Sequence, residues 1–532
     1  MHPHDGPSRT PGNPASWWRG AVIYQIYPRS FHDLNGDGIG DLPGVAAHLD
    51  HVARLGVDAI WISPFFRSPM KDFGYDVADY RDVDPIFGTL ADFDALLARA
   101  HQLGLKVMID QVLSHTSDQH AWFRQSRSSR DNPCADWYVW ADPKPDGTPP
   151  NNWLSVFGGS AWQWDSRRRQ YYLHSFLASQ PDLNFHNPEV QLALLDEVRF
   201  WGRRGVDGFR FDACNHQFHD ALLRDNPAVD GGTGGVTTVR PDNPYAMQQH
   251  LYDKSRPENL DFLQRLRAVL DEVGAASIGE VGDENAPPLM ARYTERDRRL
   301  HMAYSFALLT ADGTAERIQR EVEALELALA RTGGWGCWAF SNHDVPRVAS
   351  RWPHLPPATA MALLLSLRGS VCLYQGEELG LPEAEVPFER LQDPYGKAFW
   401  PEFKGRDGCR TPMPWQAEAI HGGFAPAAGS AEPWLPMAEA HRPLAVDAQE
   451  VDPASMLHMT RRLLAWRRRH AVLRDGALGF LSAPPDVLHF RRGQGPAALR
   501  LVFNLGTKPV TLPHFGRIEA GEWQVLPREA TP

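Results

Sequence analysis

Short, nearly continuous apolar runs punctuate the chain at AVIYQIY (21–27), VDAIWIS (57–63), KVMIDQV (106–112) and VDGFRFD (206–212). Four more follow at ASIGEV (276–281), MAYSFAL (302–308), GCWAFSN (336–342) and SVCLYQ (370–375). Each is short and rich in β-branched or aromatic residues, and none alternates cleanly with polar positions, which predicts strands buried on both faces. Between them lie stretches of helical period: VAAHLDHVARLG (45–56), FDALLARAHQLG (93–104), VQLALLDEVRFWGRRG (190–205) and LDFLQRLRAVLDEVG (260–274). All four end in glycine, the residue favoured just beyond a helix C-terminus. Eight such alternations predict a (β/α)8 barrel, an α/β fold that carries its chemistry on the loops after each strand.

Two interruptions break the rhythm. The connection after the third run is roughly three times as long as an ordinary βαβ unit, and its first part is rich in Trp, Pro, Gly and Asn. An inserted small domain is expected at 114–185, leaving 1–113 and 186–475 to the barrel. The loop 215–258, with DGGTGGVTTVRPDNPY inside it, is long enough to predict a functional lid. After a last helical stretch, MLHMTRRLLAWRRRH (456–470), the segments FLSAPPDVLHFRRG, ALRLVFNLG and EWQVLP alternate. That alternation predicts a C-terminal antiparallel β-domain over 476–532.

Composition narrows the function classes. Hydrophobic residues are 43 % and charged residues 22 % of the 532, ordinary values for a globular protein. The net charge of −11 argues against nucleic acid and acidic membrane surfaces as partners. The N-terminal MHPHDGPSRTPGNPASWW lacks the apolar core of a signal peptide, and no apolar run is long enough to span a bilayer, so a cytoplasmic protein is expected. The five cysteines are scattered with no Cys-x-x-Cys, and buried free thiols fit them better than disulfides.

If the runs are barrel strands, the polar residues that follow them share one rim. These are Asp110 and His115, then Arg210, Asp212 and His216, then Glu280, and finally Asn342, His343 and Asp344. Any single strand-end Asp is more often a helix cap or a surface charge, and Asp110 is expected to be a buried organiser of its neighbours. Several carboxylates in one cleft are another matter, because like charges raise one another's pKa, which suits acid catalysis. Two carboxyl groups flanking an acetal bond are what glycoside cleavage needs. Arg210 and Asp212 lie two apart on one strand and so share a face. The guanidinium would hold the carboxylate ionised, as a nucleophile requires. Glu280, between Gly279 and Val281, is expected in apolar surroundings that keep it protonated.

The segments DQVLSHTSD (110–118), QPDLNF (180–185), GFRFDACNH (208–216), IGEVG (278–282) and FSNHDVPR (340–347) resemble, in order, the signature regions of the α-amylase superfamily, glycoside hydrolase family 13. AVIYQIYPRSF, DFGYDVADY and GRDGCRTPMPW resemble its α-glucosidase and oligo-1,6-glucosidase branch. The resemblance covers nearly the whole chain. It implies a retaining mechanism with Asp212 as nucleophile, Glu280 as acid/base and Asp344 as transition-state stabiliser. Arg210, His115, His343 and Phe185 are implied around the first glucose, with Tyr75 stacking on its ring. Asp76 and Arg410 are implied as a salt bridge closing the pocket floor, which would make the enzyme exo-acting on small oligosaccharides or glucosides. Ala213, just after the nucleophile, is similar to the small residue of α-1,4-preferring relatives.

The loop Asp33-Leu-Asn35-Gly-Asp37-Gly-Ile39-Gly-Asp41 alternates oxygen donors densely enough for a hard cation. It resembles a structural calcium site of this branch, with magnesium as the alternative and the Ile39 carbonyl completing the shell. The family analogy also admits a homodimer. Two other functions are weighed. One is a transglycosylase, or a sucrose- or trehalose-converting isomerase, on the same pocket; the other is a noncatalytic relative, disfavoured because all three candidate carboxylates are present.

Overall fold

The computed structural model describes residues 16–229, 239, 243–310, 312–426 and 430–527. The eight apolar runs form one parallel sheet: β1 (Val22–Ile26), β2 (Ala59–Ile62), β3 (Lys106–Val112), β4 (Gly208–Asp212), β5 (Ala276–Val281), β6 (Met302–Ser305), β7 (Cys337–Trp338) and β8 (Ser370–Tyr374). Their order around the sheet is β6-β5-β4-β3-β2-β1-β8-β7. A single parallel bridge, Ala303 to Gly336, joins β6 to β7 and closes the barrel. Ile23, Trp61, Met108, Ile278, Met302 and Cys372 fill the barrel's interior. A far larger layer, including Val52, Phe93, Val198, Trp201, Leu266 and Leu364, packs between strands and outer helices. The core is thus the two concentric layers that the fold dictates.

The expected helices form at Leu90–Gln102, Pro188–Arg203 and Asn259–Val273. Thr89 and Asp92 make a reciprocal capping box at the first, and Asn187 caps the second. Gly274 ends the third at φ 70°, a left-handed conformation open to glycine at no steric cost. The stretch 45–56 departs from a single helix: it divides at His48 into Leu42–Ala47 and Leu49–Leu55. The strand expected over 302–308 also stops early. The Ala307 amide donates to the Ser305 hydroxyl, and a helical turn, Ala307–Thr310, begins there.

After β3 the chain builds a three-stranded antiparallel sheet from Trp140–Ala141, Gln170–Leu173 and Trp162–Asp165, over its own small core of Val139, Trp153, Trp162 and Leu173. At the other end, Leu478–Phe480, Val487–Arg492, Leu499–Asn504 and Trp523–Leu526 form a four-stranded antiparallel sheet. One face of it (Leu488, Phe490, Leu501, Phe503) joins the main core, and the other (Val487, Val502) is covered by Leu512, Phe515 and Ile518. All five cysteines are free and buried; Cys337 and Cys372 bring their Sγ atoms to 3.7 Å across β7 and β8, a van der Waals contact. Among the described residues no helix is long and apolar enough to cross a membrane. The N-terminal stretch expected to lack a signal peptide lies mostly outside the described residues, as do 230–238 and 240–242 of the expected lid.

Candidate active site

Residues at and after the ends of β2 to β8 converge on a pocket of about 840 Å³, counting its open mouth. Its base is organised by Arg210, which is fully buried. Nη1 donates to Asp110 (2.8 Å) and to Asp212 (2.7 Å), and Nη2 lies 2.7 Å from Glu280 Oε1. The i, i+2 spacing on β4 puts Arg210 and Asp212 on the same face, and the neighbouring strands bring in Asp110 and Glu280. Asp110 accepts further hydrogen bonds from Trp61 Nε1 (3.1 Å) and the Tyr75 hydroxyl (3.0 Å). It is absent from the pocket wall, and its carboxylate braces the ring and guanidinium that shape the site.

Glu280 is buried, but its surroundings are more polar than the sequence suggests. Beside the Arg210 contact, Oε2 accepts from the Ala213 amide (3.0 Å) and Oε1 from the Tyr304 hydroxyl (3.1 Å). Burial still wins, raising Glu280 to about 7 against the pull of Arg210. Burial also raises Asp212 to about 7, with Arg210 opposing and the Asp110 and Asp344 charges adding. Arg210 favours the ionised form of Asp212 by charge and by hydrogen bond, as expected, but that one guanidinium serves three carboxylates. Asp344 behaves oppositely: burial would raise it, but His343, Arg406 and Arg410 hold it well below the usual carboxylate range.

The pocket floor corrects one expectation. Asp76 does not meet Arg410. Its Oδ1 accepts from the Ser68 hydroxyl (2.8 Å) and the Asp72 amide (3.0 Å), and its Oδ2 accepts from the Lys71 amide (2.9 Å). The carboxylate thus folds the turn 68–76 onto itself and points Asp72 at the pocket. Asp72 pairs with Arg406, whose Nη2 lies 2.8 Å from its Oδ1. Arg410 instead donates to the His343 carbonyl (2.7 Å) and to Asp344 Oδ1 (2.9 Å), and so fixes the third carboxylate. Phe185 is a second correction: fully buried, it packs against Phe218 and Phe262 in the barrel–helix core and does not line the pocket.

The other expected residues lie in or beside the pocket. Tyr75 lines it with its ring stacked on His343 at 5.2 Å. His115 also lines it; its Nε2–H donates to the Tyr75 carbonyl (3.0 Å), and burial lowers the ring to about 4, so it is neutral. His343, buried behind Tyr75, reaches Asp344 Oδ2 at 3.2 Å. Ala213 lines the wall at φ 38°, a backbone region where a β-branched residue would be strained. Sequence reasoning missed Asp72 and Arg406, both inside motifs it had quoted. It also missed the apolar mouth of Val156, Phe157, Phe176, Phe306, Val345 and Tyr395. Loops from separate elements supply that mouth, and nothing in their spacing signals it.

The loop Asp33 to Asp41 is held by its own side chains. Asp33 accepts from the Gly36 (2.7 Å) and Gly38 (2.8 Å) amides, Asn35 from Asp37 (2.8 Å), and Asp37 from Ile39 (2.9 Å). Asp41 accepts from Leu34 (3.0 Å), and from Gly44 (2.6 Å) as a helix cap. Among the described residues no group of three or more His, Cys, Asp or Glu is gathered as a metal site. The donor types nonetheless fit a hard cation, because each carboxylate oxygen keeps a second lone pair. Burial raises the Asp33 carboxyl against its amide bonds, and the neighbouring Asp37 charge adds to the rise.

Eight parallel strands and a carboxylate cluster at their C-terminal ends define a barrel enzyme of the glycoside hydrolase class. The alpha-amylase family (catalytic domain) matches residues 25–476, and the chain belongs to it. A probable alpha-glucosidase of Rhizobium meliloti (strain 1021) is 59 % identical over 504 residues, covering 93 % of this chain and 90 % of that protein. An oligo-1,6-glucosidase of Heyndrickxia coagulans is 36 % identical over 536 residues, 93 % of each chain. Among solved structures, the alpha-glucosyl transfer enzyme XgtA superposes with a TM-score of 0.90 at 60 % identity, over 96 % of this chain and 94 % of that one. The trehalulose synthase MutB of Pseudomonas mesoacidophila MX-45 does so at 0.84 and 32 %, over 95 % and 93 %. The resemblance to the α-glucosidase branch read from the motifs is upheld.

Proposed function

We propose that the protein is a retaining, exo-acting α-glucosidase that releases terminal α-glucosyl units, preferring α-1,4 links, from maltose-type oligosaccharides or glucosides. The observation that carries this reading is Arg210 gripping Asp212 and Glu280 at the base of a pocket whose wall carries the Asp72–Arg406 ion pair, which supports a closed floor. A closed floor admits a chain end and excludes a threading polymer.

In the reactive state Glu280 holds a proton and Asp212, paired with Arg210, is the anion. The Asp212 carboxylate attacks the anomeric carbon as Glu280 gives its proton to the glycosidic oxygen, and the aglycone leaves as an alcohol. Glu280, now a carboxylate, takes a proton from an incoming water, whose oxygen displaces Asp212 and yields α-glucose. Asp344, kept ionised by its cations, holds sugar hydroxyls and faces the positive charge developing on the ring. Tyr75 supplies a flat apolar face to the sugar. One guanidinium holding both carboxylates keeps them close, which favours direct attack over a water inserted between.

Interception of the covalent sugar by another sugar instead of water gives transfer. The relationship to XgtA supports transfer as the second outcome on the same site. The test is the product pattern on maltose, isomaltose and sucrose, followed by NMR at early times. α-Glucose should appear first; initial β-glucose would refute double displacement. Maltose should be cleaved faster than isomaltose, and equal or reversed rates would refute the linkage preference, for which one small pocket residue such as Ala213 is worth about 1–3 kcal/mol.

The reading of the loop 33–41 as a structural calcium site belongs to the same proposal. Millimolar calcium should raise the melting temperature by a few degrees over chelator-treated protein, because a ligand bound only by the folded state stabilises it. Magnesium should act more weakly, and identical melting curves in all three conditions would remove the cation from the account.

A further inference from the structure

Asp393 has no part in the chemistry above and does not line the pocket, yet it is completely buried. It caps the short helix Pro394–Phe399, its Oδ1 accepting from the Tyr395 amide (3.2 Å). The rest of its carboxylate's hydrogen bonding goes to Arg406. Oδ1 accepts from Nη2 (2.8 Å), and Oδ2 accepts from Nε (3.1 Å) and from the Arg406 backbone amide (2.8 Å). The same Nη2 also donates to Asp72 (2.8 Å), and Nη1 donates to Asp344 (3.2 Å).

This platform is rigidly built. Asp407 Oδ2 accepts from the amides of Gln392 (2.6 Å) and Asp393 (2.9 Å). The backbones of Gly396 and Gly405 are in contact: a Cβ on Gly405, at φ 81°, would lie 2.7 Å from the Gly396 Cα. The fork of an arginine is planar, but its stem rotates freely. With the Nε side fixed, the guanidinium has one orientation that spans Asp72 and Asp344. Without that anchor it can turn wholly toward Asp344, which Arg410 already holds, and leave Asp72 uncovered. Arg406 and its charge also keep Asp393 ionised, down at about 2 despite burial.

We infer that Asp393 is a positioning residue for the pocket floor: by gripping the Nε edge of Arg406 it sets the Asp72–Arg406 pair that receives the terminal sugar. The inference rests on the glucosidase reading and adds to it a determinant of sugar affinity that the sugar does not touch.

Asp393→Asn tests it, because asparagine caps a helix as well as aspartate and has nearly its size. The variant should melt with the wild type, yet lose about 10–100-fold in kcat/KM on an aryl α-glucoside. The loss should lie mainly in KM, and inhibition by free glucose should weaken by a similar factor. Because both residues act through Arg406, Asp72→Asn with Asp393→Asn should lose little more than the worse single variant, and Asp393→Asn should add nothing in an Arg406→Ala background. Asp393→Ser, a shorter residue that still caps, should reproduce the loss if the asparagine variant folds poorly. A cap-retaining variant within twofold of wild type in KM and glucose inhibition overturns the inference, as does full additivity with Asp72→Asn. A wild type that neither cleaves the glucoside nor is inhibited by glucose overturns the glucosidase reading itself, and the positioning role falls with it.

Discussion

Asp212→Ala is expected to lower kcat at least about 10^4-fold, equivalent to roughly 5.5 kcal/mol of transition-state stabilisation. The chain should fold as before. Asp212 sits at the end of β4 with its carboxylate on Arg210 and the pocket, and the strand's registration depends on backbone pairs from Met108 to Val112 that the substitution leaves intact. Removing a carboxylate from a cluster that shares one guanidinium relieves repulsion, so the melting temperature should hold or rise. Circular dichroism with a single-turnover assay on an aryl glucoside separates these two effects. Retained turnover in a folded variant would show that another group attacks the sugar.

The second large effect is graded by the leaving group. Glu280→Gln should cost about 10^2–10^4-fold on maltose, whose departing alkoxide needs a proton, and far less on an aryl glucoside whose phenolate leaves unaided. The pH profile follows from the same proton. A carboxyl raised to about 7 by burial is protonated below that pH and loses its proton above it. The acid form, and with it kcat/KM on maltose, should therefore fall as pH rises through about 7. In Glu280→Gln that alkaline limb should vanish. An alkaline limb that survives in the variant would assign it to another group, and an equal loss on both substrates would deny Glu280 the acid role.

How much of this was readable in the sequence depended on whether the relevant geometry is local. The eight strands were legible because burial on both faces leaves unbroken apolar runs. The Arg210–Asp212 pair was legible because two residues along a strand is a fixed geometric relation. The length of β6 was not, since a serine hydroxyl starting a helical turn at 307 looks like any other polar residue. The floor pair was missed for a comparable reason. Asp72 and Asp76 lie in one turn, and which of them faces the pocket is decided by hydrogen bonds from Ser68 and from the amides of Lys71 and Asp72, which carry no sequence pattern. Phe185 was misplaced because a motif fixes position along the chain, whereas helix packing against Phe262 fixes the direction of the ring.

The floor formed by Asp72 and Arg406 has a kinetic corollary. With the floor closed as proposed, traffic becomes sequential: the departing alcohol must clear the threshold before anything can reach the bound glucose from that side. Water and a second sugar would then queue at the same entrance, along a wall that includes Phe157, Phe306 and Tyr395. The fate of each captured glucose is set there, by whichever guest first occupies the space the last one vacated.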